Sequence, residues 1–560
     1  MKLKLQQLYT PFNESKITWK TEYPRPSLKR DSFIPLIDGW ELSVLENNNE
    51  THIGKIKLPY PPESMLSGIC RELKKGEKYV YNKKFALKTD KNVILHFGAV
   101  DQIAEVYIND THVITHNGGY LPFEVDITKH LKDINTLKVI VTDDLDKSSA
   151  YGKQRKKRGG MWYTPISGIW QTVWLEEVPK EYIKGLWITP SLNSVKIETV
   201  GGAKHKKLIL AEKIYEFDGS YIKIDIDEPI NWTPENPYLY SFTIECGEDR
   251  IESYFALRTI TVDENNLLLN GKPYFFHGVL DQGYFSDGIY TPVSPEGYKY
   301  DILTMKELGF NTLRKHIKIE PELFYYYCDK YGIIVFQDMV NCGSYNFLLD
   351  TVLPTLGIKK GIKRPINEKT KAEFRRISMD MMRLLYNHPS VCYYTIFNEG
   401  WGQHDADKLY RKFKEFDPSR IYDTASGWFK PKESDVISEH VYFKKINLKP
   451  SNKPLVLSEF GGYSCKIPEH SFNLSKTYGY KYFDNTDDFT KALDGLYRNE
   501  IIPNIEKGLC AAVLTQLSDI EDETNGLVTY DRKVLKADIK VMQEMSKALF
   551  DKFNEVNNDK

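Results

Sequence analysis

The chain has 560 residues, too many for one core and enough for two to four domains. Lys and Arg total 76 against 77 Asp and Glu, a net charge of −1 that argues against a nucleic-acid or membrane-surface role. Hydrophobic content of 41% and charged content of 27% are those of an ordinary globular protein, and 13% aromatics suit either sugar-stacking platforms or β-rich cores.

The opening MKLKLQQLYTPFNESK lacks an apolar stretch of signal-peptide length, and no apolar run reaches 18 residues. Seven cysteines (Cys70, Cys246, Cys328, Cys342, Cys392, Cys465 and Cys510) are scattered without CxxC spacing. Neither a zinc site nor a disulfide framework is expected, and a reducing cytoplasmic setting fits. Short alternating runs then follow: KYVYNKKFAL (78–87), NVILHFGAV (92–100), IAEVYINDTHVITH (103–116), NTLKVIVTD (135–143) and IWQTVWLEEV (169–178). This spacing reads as a β-sandwich over 1–180, with Asn109 and Asp110 at a hairpin turn.

The basic run KQRKKR (153–158) lies between DLDKSSAYG and GGMWY. It reads first as a solvated loop rather than a nucleic-acid or anion site, with a second possibility that the loop and Trp162 reach the rim of a barrel formed further along the chain and shape its leaving-group side. Residues 181–265 continue as strands (KGLWITPSL, KLILAEKIYEF, SYIKIDID, YLYSFTIEC, SYFALRTITV), a second, smaller sandwich.

From 266 to 560 the texture changes to strands alternating with helices. Eight strand candidates are YFFHGV (274–279), FNTLRKH (310–316), IIVFQDM (333–339), VCYYTIFN (391–398), RIYDTAS (420–426), VISEHVY (436–442), PLVLSEF (454–460) and LCAAVLTQL (509–517). Helices are expected near 296–308, 321–331, 370–386, 405–416 and 534–551, with a frayed polar end. The count is that of a (β/α)8 barrel.

Glu399 and Glu459 each follow an apolar run and precede a glycine, at the strand ends where such barrels keep their chemistry. Cleavage of a glycosidic bond with retention needs one protonated carboxyl and one ionised carboxyl about 5–5.5 Å apart. Spacing alone leaves two readings, a catalytic pair or two ordinary barrel carboxylates.

NHPSVCYYTIFNEG (387–400), FNTLRKH (310–316), LVLSEFGG (455–462) and GGMWYTPISGIWQTVWLE (159–176) together resemble the family 2 glycoside hydrolases, the group of β-galactosidases, β-glucuronidases and β-mannosidases. That resemblance implies a jelly-roll-like sandwich, an immunoglobulin-like sandwich and a catalytic (β/α)8 TIM barrel. It implies a retaining exo-β-glycosidase with a carbohydrate substrate and no cofactor or metal. Glu399 would be the acid/base, Glu459 the nucleophile, and Asn398 a hydrogen-bond partner of the sugar 2-hydroxyl. Tyr442 would donate to the nucleophile, and Arg314 would lie beneath it as a fixed charge. His316 and His440 would contact sugar hydroxyls, and Trp401 would offer its ring to the sugar or leaving group.

The chain departs from the family pattern in places. RKHIKIEP replaces the usual histidine–tyrosine–proline after strand two, and LTQLSDIEDETNGL (514–527) has no tryptophan. The latter stretch makes Gln516 and Asp519 candidate subsite residues, as VLDQGYF does Asp281 and Gln282. The glucuronidase branch's Asn-x-Lys motif finds only NLSK at 473–476, which lowers that alternative and leaves a β-galactosidase-like substrate as the default. The barrel ends near the last residue, so no sign of further C-terminal domains is expected, and the sandwiches would brace the barrel or offer aglycone or homo-oligomer contacts. A metal-dependent hydrolase built on His277, His316 and Asp338 lacks an H-x-H pair, and a non-catalytic carbohydrate-binding protein has no reason to hold two like charges together.

Overall fold

A computed structural model describes residues 4–355, 358 and 366–558. The first sandwich packs a six-stranded antiparallel sheet on a four-stranded one. The larger sheet runs in the order 49–56, 40–46, 78–86, 134–142, 103–108 and 111–117. Its last hairpin turns at Asn109 and Asp110, with φ of 48° and 66°, as the sequence suggests. Period-two burial in Ile134–Thr142 turns Leu137, Val139 and Val141 onto a core with Trp40, Tyr79 and Tyr81.

The second sandwich pairs a three-stranded sheet with a four-stranded one and has a small core of its own. It includes Ser194–Gly201, a strand the sequence reading passes over. Arg30 joins the two sandwiches. Its guanidinium donates to Glu176 at 3.1 Å and to Asp249 at 2.9 and 3.0 Å. Burial makes the set interdependent, since any member left unpaired there would cost several kcal/mol.

All eight expected barrel strands form: Phe276–Asp281, Thr312–Lys315, Ile334–Asp338, Val391–Thr395, Ile421–Asp423, Ile437–Val441, Leu455–Gly461 and Leu509–Thr515. Their neighbours are parallel, in the order five, four, three, two, one, eight, seven, six, so the ring is closed except for the seam between five and six. Being buried on both faces, these strands are continuous apolar runs rather than alternating ones.

Helices lie at Glu296–Glu307, Glu322–Tyr331, Glu368–Leu385 and Ala406–Phe416. A further helix at Thr486–Leu496, absent from the sequence reading, is capped by the Asn485 side chain accepting from the Asp488 amide. The closing helix is Ile539–Asn558, so the expected fraying is corrected as far as residue 558, and its last two residues lie outside the described residues. Phe553 is buried and Val556 packs on the same core, which carries the apolar face past residue 551.

That core also takes in Trp162, Tyr163 and Trp170 from the first sandwich and Trp232 from the second. Arg258, leaving the second sandwich, donates to the carbonyls of Pro389 and Val391 at the base of barrel strand four. No helix among the described residues is long and apolar enough to cross a membrane. All seven cysteines are free, six of them buried.

Candidate active site

The second barrel strand places Arg314 in the interior, 1% exposed. A buried guanidinium must use its donors. Nε reaches Asp338 Oδ1 at 2.9 Å, and Nη1 reaches Glu459 Oε1 at 2.9 Å and the Ser458 carbonyl at 3.0 Å. Nη2 reaches Asn398 Oδ1 at 2.9 Å and Ser426 Oγ at 3.2 Å. One side chain therefore sets the positions of residues from strands three, four and seven.

Asn398 Oδ1 also accepts from Ser426 Oγ at 2.9 Å. With its oxygen fixed by two donors, the amide nitrogen is left without a protein acceptor among the described residues. The backbone then turns sharply. Glu399 lies at φ 53°, in the left-handed region that side chains avoid. Gly400 follows at φ 74°, where a Cβ would stand 2.2 Å from the Phe429 ring. A cavity of about 890 Å³ opens from Gly400 between Asp146, Gly343, Asn367, Lys371 and Gln403.

Glu459 receives Arg314 on Oε1 and the Tyr442 hydroxyl on Oε2 at 2.6 Å. Tyr442 also bonds Thr515 Oγ1 at 2.9 Å. His440 stands between the two glutamates. Its Nδ1 is 3.1 Å from Glu399 Oε1, and its Nε2 is 3.6 Å from Glu459 Oε1. Carboxylate and imidazole atoms of the trio lie within 4.8 Å of one another.

Burial alone would raise the Glu459 pKa. His440 and the Arg314 guanidinium outweigh it, with help from His316 and the Tyr442 hydrogen bond, and bring it down to about 2. The Glu399 side chain hydrogen-bonds only His440 among the described residues. The trio is the one group of three among the described residues with metal-ligand spacing. Arg314 already holds the same Glu459 oxygen, and a cation there would meet its charge.

The remaining sequence candidates divide. His316 is buried, with Nδ1 2.8 Å from Asp338 Oδ2, and is near enough to Glu459 to feel its charge. Trp401 donates to the Gly343 carbonyl and packs edge-on to Trp162 and Tyr345 at 5.1 and 5.4 Å. Gln282 and Gln516 join one cluster, Gln282 Nε2 donating to Gln516 Oε1 at 2.6 Å.

Asp281 and Asp519 are each paired with a buried lysine. Lys315 Nζ is 2.6 Å from Asp281, and Lys536 Nζ is 2.6 Å from Asp519. His277 lies away from the rim, bonded to Tyr497 and the Gly309 carbonyl. The solvated-loop reading of 153–158 holds for Lys156 and Lys157 only, since Lys153 and Gln154 are buried.

Several neighbours went unnoticed in the sequence. Tyr480 stacks on Tyr442 with centroids 4.3 Å apart, and Tyr478 lies beside it. Tyr163 donates to Glu523 Oε2 and accepts from Gln282 Nε2 at 2.8 Å. Ser426 and Thr515 complete the supports. Only the aromatic spacing of TYGYKYF (477–483) offered a signal for any of these.

Residues 260–548 match the pattern described as glycosyl hydrolases family 2, TIM barrel domain. Residues 54–172 match the glycosyl hydrolase 2 galactose-binding domain-like pattern, and 188–258 the glycosyl hydrolases family 2 pattern. A β-galactosidase of Leuconostoc mesenteroides is 24% identical over 501 residues, covering 78% of this chain and 45% of that protein. A β-glucuronidase of Chlorocebus aethiops is 25% identical over 382 residues, 59% of this chain and 55% of that one. This chain thus spans about half the length of these curated relatives. Among solved structures, a β-D-glucuronidase of Dictyoglomus thermophilum superposes with a TM-score of 0.74 at 19% identity, covering 94% of this chain and 98% of that one. A β-galacturonidase of Eisenbergiella tayi gives 0.69 at 18% identity, over 94% and 99%.

Proposed function

Since this chain belongs to glycosyl hydrolase family 2, we propose that it is a retaining exo-β-glycosidase, β-galactosidase-like in its glycone, acting by double displacement. The observation that carries this reading is the unequal surroundings of two carboxylates held on one imidazole. One oxygen of each lies within 4.8 Å of one oxygen of the other, which supports a retaining pair over one that leaves ~6.5–9.5 Å for an interposed water.

Glu459, kept ionised by Arg314 and Tyr442, attacks the anomeric carbon while Glu399 protonates the departing oxygen. Glu399 then takes a proton from water, which releases the sugar from Glu459. The free amide of Asn398 donates to the 2-hydroxyl, a contact that strengthens as the ring flattens. The leaving group departs toward the cavity beyond Gly400. His440, placed between the acids, couples their charges, a different task from the sugar contact expected of it. In this scheme residues 266–560 hold the chemistry, while 1–180 and 181–265 brace them.

The test is a panel of nitrophenyl β-glycosides, with glucuronide and mannoside beside galactoside, and a 2-deoxy-2-fluoro analogue of whichever sugar turns over. Fluorine at C2 slows both displacements, so a glycosyl adduct of matching mass accumulates on the peptide carrying Glu459. An adduct elsewhere, or turnover without any trapped species, overturns the double displacement.

A pH prediction follows from Tyr442. Its hydroxyl stabilises only the ionised Glu459, so Tyr442→Phe raises that pKa from about 2. One bond to a charged group is worth roughly 1.5–3 kcal/mol, equivalent to about 1–2 pH units. The acidic limb of kcat/KM therefore moves to higher pH in the variant. A limb that stays in place refutes this role for Tyr442. In the parent, the stability contributed by the depressed pKa is complete above ordinary carboxylate values and is lost progressively as pH falls from there through about 2.

A further inference from the structure

Residues 153–155 run beside Tyr163, with the Tyr163 amide donating to the Lys153 carbonyl at 3.1 Å and the Arg155 amide to the Tyr163 carbonyl at 3.1 Å. Gln154 anchors the segment to the first sandwich. Its Nε2 donates to Asp101 at 2.9 Å, and its Oε1 accepts the Ile166 amide at 2.7 Å. Side chains alternate along such a segment, so Lys153 and Arg155 share the opposite side. Both stand by the Trp162 ring, at 5.9 and 4.4 Å from its centroid.

Lys153 is only 9% exposed, yet its ammonium has no hydrogen-bond acceptor or ion-pair partner among the described residues. Burying such a cation without a partner is costly. Two residues of the barrel mouth lie within reach of its charge. Burial and Lys153 push His316 down, against the pull of Asp338. Burial raises the Glu523 carboxyl, while Tyr163, Lys153, Gln516 and Gln282 draw it back.

Glu523 is 4% exposed and lopsided in its bonding. Oε2 takes Tyr163, Gln516 at 3.2 Å and Gln282 at 3.3 Å. Oε1 has no partner among the described residues, and neither does the buried Gln282 Oε1. This cluster adjoins the catalytic carboxylates, because Tyr478 is bridged to Glu523 through the backbone and Tyr480 stacks on Tyr442, whose hydroxyl holds Glu459. A cation and a carboxylate oxygen without hydrogen-bond partners among the described residues thus flank Tyr163, whose backbone pairs with the Lys153 segment and whose hydroxyl donates to Glu523.

We propose that Lys153 and Glu523 together form the glycone's distal subsite, gripping a vicinal diol of a neutral pyranoside. Lys153 donates to one hydroxyl and Glu523 Oε1 accepts from its neighbour, so the sugar supplies the partner each lacks. A uronate carboxylate would satisfy Lys153 and stand against Glu523, so uronosides are discriminated against. The subsite rests on the glycosidase reading and narrows its substrate to neutral sugars. Its cation comes from the first sandwich, not from the barrel.

The experiment compares parent, Lys153→Met, Lys153→Arg and Glu523→Gln on nitrophenyl β-galactoside, β-glucoside, α-L-arabinopyranoside and β-glucuronide, with thermal melting as the fold control. Lys153→Met is expected to lower kcat/KM on the preferred neutral glycoside by roughly 10–100-fold, the worth of one bond to a charged group. Its melting point should not change, and Lys153→Arg should recover part of the loss. A change under about twofold on every sugar overturns the subsite, as does a parent preference for the glucuronide that Lys153→Met abolishes. Calorimetric titration with free galactose and glucuronic acid reads the subsite without turnover. If the parent cleaves nothing, the glycosidase reading fails, and weaker galactose binding by Lys153→Met still supports the subsite while unchanged binding overturns it.

Discussion

Glu459→Gln is expected to reduce turnover of every substrate by on the order of 10⁴–10⁶-fold, the scale seen when a nucleophile is removed, and to leave the chain folded. The amide is nearly isosteric with the carboxylate and presents an oxygen to Arg314 Nη1, which also keeps the Ser458 carbonyl at 3.0 Å. Asp338 holds Nε at 2.9 Å, so the guanidinium retains a carboxylate partner after the charge at 459 is gone. The amide cannot bond covalently to the anomeric carbon as a carboxylate does. Steady-state assays on the best aryl glycoside, paired with circular-dichroism melting, separate lost chemistry from lost structure. Residual activity above about one per cent, or a melting point far below the parent's, refutes the nucleophile assignment.

Glu399→Ala is expected to produce a loss that depends on the leaving group. Alkyl glycosides need a proton on the departing oxygen, and removing a general acid costs roughly 10²–10⁴-fold. Dinitrophenolate leaves without protonation, so formation of the glycosyl-enzyme proceeds at nearly the parent rate. Its hydrolysis is slow because no base remains to activate water. Rapid mixing should therefore show a burst of dinitrophenolate followed by a slow steady state. Azide, a nucleophile that needs no deprotonation, should accelerate the second phase and give a glycosyl azide. The truncation leaves room for it beside His440, whose Nδ1 lies 3.1 Å from Glu399 in the parent. Equal losses on alkyl and dinitrophenyl glycosides, with no effect of azide, show that Glu399 is not the proton donor.

Both glutamates could be found in the sequence because a buried parallel strand is a conspicuous apolar run, and a carboxylate at its end has no packing reason to be there. The eight barrel strands could be read for the same cause. Arg314 announces itself as a charge inside such a run. The lysines paired with Asp281 and Asp519, 34 and 17 residues away, are chosen by three-dimensional burial and leave no periodic trace. The Tyr163–Glu523 contact joins residues 360 apart in the chain, beyond the reach of any local pattern. Tyr478 and Tyr480 come from irregular chain after strand seven, where neither the two-residue nor the 3.6-residue period applies. The helix at Thr486–Leu496 had a legible start in Asn485, which was simply passed over.

The segment that carries Lys153 and Tyr163 comes from the first sandwich but packs into the core of the barrel that holds the carboxylate pair. If the subsite proposed above is right, drift in that segment can retune which sugars are accepted while the proposed catalytic pair is inherited unchanged. Recombination that exchanges the barrel alone would sever the two, and its product would keep the reagents but lose part of the vessel wall.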